Sequence, residues 1–175
     1  MALRDTLLSE FDHEMANTRK MLDRAPEKHF DFQPHAKSWK LKRLAGHVAD
    51  LPGWATQTMR SERLELEPGM FAPFVPSSKQ ELLAFFDKQV SGARSAIARA
   101  SDEELNQSWT LKWEGKTVLT MPRAGVLRTM VLNHLIHHRA QLGVYLRMID
   151  VAVPGMYGPS ADEVPIFGES TQKAA

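Results

Sequence analysis

Between Pro122 and Ile149 the residues Leu127, Val131, His134, His138, Leu142, Tyr145 and Ile149 recur at steps of three or four. Such spacing puts them on one face of a long helix turned toward a core. Pro122 is tolerated at its start, because a first-turn N–H has no intrahelical partner in any case. A stripe this long needs other helices to cover it, and three more segments carry one. Leu3, Leu7, Phe11, Met15, Thr18 and Leu22 line the first, which ends before Pro26. The second starts near Ser38, a residue suited to an N-cap, and places Leu44, His47, Leu51, Trp54 and Thr58 inward. Pro52 lies within it and predicts a kink or break. The third begins at Ser77-Ser78, where Ser78 and Glu81 have capping-box spacing. Its stripe is Leu83, Phe86, Val90, Ala93, Ile97 and Ala100.

Trp109, Leu111 and Trp113 alternate with polar residues ahead of Glu114-Gly115 and Val118, the pattern of a hairpin with a two-residue turn. Residues 62–76 hold Pro68, Gly69, Pro73 and Pro76 and read as a long crossing loop. Beyond Asp150, the residues Pro154, Gly155, Gly158, Pro159, Pro165 and Gly168 argue against a fifth helix. The expected fold is all-α: a four-helix bundle with a small β-hairpin between helices 3 and 4, as one domain over residues 1–175.

Composition narrows the function. With 22 basic and 21 acidic residues and no basic stripe, nothing favours a nucleic-acid partner. No run approaches the ~18 apolar residues of a membrane span. Arg4, Asp5, Glu10, Asp12 and Glu14 leave no apolar centre for a signal peptide, so a cytoplasmic protein is expected. The absence of cysteine removes disulfides, thiolate ligands and a cysteine nucleophile together.

Seven histidines remain, three of them on inward helix faces. His134 and His138 are four apart, so their rings leave one helix face a turn apart and can converge on one ion. His47 lies on the inner face of the second helix. A satisfied core histidine is the plain alternative at each position, but two neighbouring buried imidazoles without partners are costly. His137 also lies within reach of His134; the stripe through Val131, Leu142 and Tyr145 favours His138 without excluding it. Imidazole donors suit zinc, nickel, iron(II) or copper over magnesium or calcium. Gln141, three residues past His138, and Asp50, three past His47, are placed to orient a ligand or accept an imidazole proton. Trp39, Trp54 and Phe71 are candidate pocket residues, although aromatics on helices are usually core. Glu10-x-x-His13 is a single Glu-x-x-His motif where a di-iron centre needs two. Asp162 and Glu163 lie in a late loop that can fold back over one end.

The run Asn133-His134-Leu135-Ile136-His137-His138-Arg139-Ala140-Gln141 resembles the fourth-helix signature of the DinB/YfiT-like family. Ser38-Trp39 with Leu44-Ala45-Gly46-His47 resembles its second-helix signature, and Tyr157-Gly158-Pro159-Ser160-Ala161-Asp162-Glu163 resembles a tail segment common there. Ala140 departs from the pattern, where glycine is frequent, at a position that is not a ligand. The resemblance implies an up-down-down-up bundle, often a homodimer, with a divalent metal on His47, His134 and His138. Some such proteins are S-transferases using bacillithiol, mycothiol or glutathione, and others look like metal-dependent hydrolases. The leading expectation is therefore a metal-dependent S-transferase acting on a small-molecule electrophile with a low-molecular-weight thiol. A hydrolase, or a non-catalytic metal-binding or dimerisation module, is the alternative.

Overall fold

The computed structural model describes residues 2–70 and 72–163. The first stripe forms α1 (Leu3–Asp23), with Leu7, Phe11, Met15 and Leu22 buried. The second divides at Pro52 as its missing donor requires: α2 (Leu41–Asp50) ends before it and α3 (Gly53–Arg60) follows. Lys40, not Ser38, occupies the N-cap position of α2. At the head of α4 (Lys79–Ala98) the Ser78 hydroxyl accepts the Glu81 N–H at 3.1 Å. The return arm is displaced by one residue, since the Glu81 carboxylate takes the N–H and hydroxyl of Ser77. A complete reciprocal box, Ser101 with Glu104, starts a short α5 (Asp102–Asn106) that no apolar stripe announces.

The expectation of an all-α four-helix bundle is overturned. Strands β1 (Arg63–Leu66), β2 (Ser108–Trp113) and β3 (Lys116–Pro122) form a mixed sheet in that order, so the architecture combines helices with a three-stranded sheet. The hairpin β2–β3 is antiparallel, turning through Glu114 (φ 47°) and Gly115 (φ 74°). Positive φ at both central residues gives a turn whose twist matches the strands, which Gly115 permits at no steric cost. The unexpected strand is β1. It runs parallel to β2, from Arg63 opposite Thr110 to Leu66 opposite Trp113. Four residues are too few to show a period, and Pro68 and Gly69 hide them in a loop-like stretch. What makes them a strand is β2 together with burial: Leu64 and Leu66 pack on a small second core of Trp109, Leu111 and Val126.

The last helical rod also differs from a plain α-helix starting at Pro122. That proline ends β3, and α6 (Arg123–Val126) follows, then a π-helical stretch (Leu127–Asn133) and α7 (His134–Met148). The main core lies where α1, α2, α4 and α7 meet, with Phe11, Leu44, Leu82, Phe86, Leu135 and Leu142 at most 1% exposed. Each such side chain contributes roughly 1.5–3 kcal/mol by leaving water. Gly46 lets the crossing segment lie directly on α2, because a Cβ there would stand 2.2 Å from the Phe74 carbonyl oxygen.

Two buried guanidinium groups tie this frame together. Arg139 of α7 meets the Glu14 carboxylate of α1 at 2.7 Å and donates to the Glu14 carbonyl and the Thr18 hydroxyl. Tyr157, from the segment after α7, accepts from Arg139 and donates its O–H to Glu14. Arg123 donates to the carbonyls of Thr58, Ser61 and Glu104 and to the Gln107 side chain, joining α3, α5 and the sheet. No helix among the described residues is long and apolar enough to cross a membrane.

Candidate metal centre

The first turn of α7 and the middle of α2 face each other beside the core. The unbroken α7 carries His134 and His138 on one face, and α2 presents His47 to both. Nε2 of His134 lies 3.0 Å from Nε2 of His138 and 3.4 Å from Nε2 of His47. Two nitrogens bound tetrahedrally at ~2.1 Å stand about 3.4 Å apart, so the donor spacing fits one ion. Among the described residues these three form the one group of histidine and carboxylate side chains that could hold a metal, all donor atoms lying within 4.8 Å of one another.

Their electrostatics suit the same purpose. Burial, then the charges of His138, His134 and Arg43, push His47 from its ordinary 6.5 to about 4. Burial is also the largest cause lowering His134 and His138. All three are thus neutral at pH 7, the form that binds a metal. Their second nitrogens are oriented as well. His138 Nδ1–H donates to the Gln141 amide oxygen at 2.8 Å, an acceptor that fixes the tautomer and leaves Nε2 free. The same amide donates to His137 Nε2 at 3.1 Å, so His137 faces Gln141. A hydrogen bond with the Met130 backbone supports His134 from the π-helical stretch.

The lowered values set a sign for stability. Above pH ~6.5 folded and unfolded chains are both neutral at these positions. As pH falls toward about 4, the unfolded chain takes up protons that folded His47 refuses, so folding weakens. Metal-free protein should therefore lose thermal stability between about pH 6.5 and 4.5, ahead of carboxylate titration. His47→Gln should flatten that slope, and an unchanged slope in melts across this range contradicts the burial argument.

The other sequence candidates go elsewhere. Asp50 is half-buried, accepts from Gln89 at 3.0 Å, and is raised mainly by desolvation. Glu10 pairs with Arg128, and His13 meets Asn17. Asp162 takes the Arg147 guanidinium and the Val153 N–H, while Glu163 takes the N–H groups of Gly155 and Ser160. Neither joins the histidines. Trp54 is half-buried between the two apolar clusters, and Phe71 lies outside the described residues. Trp39, by contrast, is 42% exposed and walls the site, stacked at 5.8 Å on His138 and edge-on at 5.2 Å to His47. Sequence reasoning missed Arg43, whose guanidinium lies 4.4 Å from the Trp39 ring centroid. Its place one turn before His47 was the available signal.

Comparison with known proteins places this geometry in context. The model of a family described as the DinB family matches residues 1–170. A Bacillus subtilis (strain 168) protein named YrdA is 27% identical over 97% of this chain and 96% of its own length. The crystal structure of a DinB-like protein from Bacillus cereus ATCC 10987 superposes with a TM-score of 0.67 at 23% identity, covering 87% of this chain and 97% of the other. The DinB-like protein YjoA of Bacillus subtilis gives 0.66 at 14% identity, over 86% and 97%. At those identities the two structures speak to the fold alone.

Proposed function

This chain belongs to the DinB family, and on that premise we propose that His47, His134 and His138 hold one divalent transition metal, zinc, nickel or iron(II), in a transferase that joins a small external thiol to an electrophile. The observation that carries the reading is a donor set of three neutral imidazoles with no fourth protein donor beside it among the described residues. Three protein ligands leave coordination positions open, as catalytic sites do and closed structural sites do not. A metal there would supply Lewis acidity, holding a bound thiol as thiolate or a bound water as hydroxide. Since the sequence has no cysteine, the sulfur comes from a separate small molecule. Gln141 acts as a positioning residue, holding the His138 ring by its Nδ1–H. Trp39 shields one side of the histidines and offers an apolar wall to an incoming substrate.

The test is metal analysis of protein purified without a histidine tag, followed by a thiol-consumption assay with a chlorodinitrobenzene. A ratio near one metal per chain and metal-dependent thiol loss are expected. Gln141→Leu should weaken metal binding by about 10–100-fold, as loss of an orienting partner does. His137→Ala should weaken it much less. Ester hydrolysis without thiol loss would reassign the site to a hydrolase. A loaded protein inert in both assays would leave a binding module.

A further inference from the structure

The first turn of α2 carries Lys42 and Arg43 just after Lys40, where the helix dipole already favours anions. Lys40 and Lys42 both pair with Asp31. Arg43 has no ion pair among the described residues, although it is half-buried and desolvation is the largest influence on its pKa. The carboxylate whose charge acts on it is Asp50, seven residues and about 10 Å further along α2. Asp50 is already engaged by Gln89. Yet the Arg43 charge reaches both His47 and His138. A partly desolvated guanidinium beside a cluster suited to a divalent cation is an arrangement of like charges, and an anion between them resolves it. A cleft of about 390 Å³ is lined by Lys37, Trp39, Leu44, His138, Val144 and Tyr145 among others. Arg43 is not in that lining but adjoins it, one residue before Leu44 and with its guanidinium over the Trp39 ring. Lys37 also lacks an ion pair among the described residues, and Trp39 and Val144 are 42% and 59% exposed. The cleft thus offers one lining cation in Lys37, a second in Arg43 laid over its Trp39 wall, an apolar surface, and one histidine of the cluster.

We infer that this cleft takes an organic carboxylate with an apolar body, its carboxylate held by Arg43 and Lys37 and its body lying between Trp39 and Val144. The inference deepens the metal-site reading and rests on it for the orientation of the ligand. Planar, two-pronged donation is what a guanidinium gives a carboxylate, and its stacking on Trp39 holds the fork ready. The carboxylate belongs either to the electrophile or to the thiol, and the test has an arm for each.

Zinc-loaded protein is titrated calorimetrically with phenylacetate and its neutral isostere phenylacetamide, then with 3-mercaptopropionate and its amide. The carboxylate of at least one pair should bind about tenfold or more tighter than the amide. Arg43→Gln should remove most of that preference while zinc content and amide affinity hold. Arg43→Lys, which keeps the charge without the fork, should retain part of it and shows that the position tolerates change. A preference in the phenylacetate pair assigns the carboxylate to the electrophile, and one confined to the mercaptan pair assigns it to the thiol. No preference in either pair, or a preference that Arg43→Gln leaves intact, overturns the proposal. Zinc content is measured separately, so failure to load zinc counts against the metal reading alone. The same titrations on metal-free protein then decide the carboxylate assignment by the same criterion.

Discussion

His134→Ala is expected to empty the metal centre. Its Nε2 is the atom common to both close approaches, 3.0 Å to His138 and 3.4 Å to His47, so the remaining pair loses its middle member. If about 10–16 kcal/mol of binding divides over four ligands in a structural zinc site, one ligand contributes roughly 2.5–4 kcal/mol, or about 70- to 900-fold in affinity. Competition with a chromophoric chelator would read this directly, with His137→Ala as the neighbouring control. The fold should survive, because His134 is only half-buried at the edge of the core and the apolar side chains around it are untouched. Equal loss from His137→Ala, or retention of metal by His134→Ala, would remove the ligand assignment.

Arg139→Met is expected to cost the most stability of any single change outside the apolar core. Arg139 and Glu14 are 2% and 5% exposed, and the guanidinium is bonded to a carboxylate, a carbonyl and two hydroxyls. Taking away one partner of a buried pair leaves the other charge unpaired, at about 3–5 kcal/mol. For a chain of this size that is roughly 6–20 °C in melting temperature, at ~2–4 °C per kcal/mol. The double change Glu14→Leu with Arg139→Met should recover much of the loss, since no charge is then left buried. Thermal and urea melts of the three variants would check it. A loss under ~1 kcal/mol for Arg139→Met would mean that water reaches the pair.

The parts legible in the sequence were those with a period or a spacing. The apolar stripes located α1, α4 and α7, Pro52 located the break between α2 and α3, and Glu114-Gly115 located the hairpin turn. Helical spacing singled out the three histidines that the fold brings together. What stayed hidden depends on partners distant in sequence. Nothing in Arg63 to Leu66 marks a strand until β2 lies alongside, and that strand separates the observed mixed architecture from an all-α one. The π-helical stretch before His134 has no sequence mark, because packing rather than propensity sets a local helical pitch. Arg43 reads as one more surface cation until its neighbours show that Lys40 and Lys42 share a carboxylate and it does not.

The parallel register of β1 on β2 also constrains how a newly made chain reaches this fold. A hairpin such as β2–β3 closes locally within about 1–10 μs, whereas residue 63 meets residue 110 only after α4 and α5 have doubled back between them. Until then β2 shows a bare edge carrying Trp109 and Leu111, and the corresponding strand of another chain fits that edge as well as β1 does. Exchange of β1 between two nascent molecules is thus the misassembly this topology invites, since an exchanged strand sets Glu65 opposite Lys112 just as the native one does.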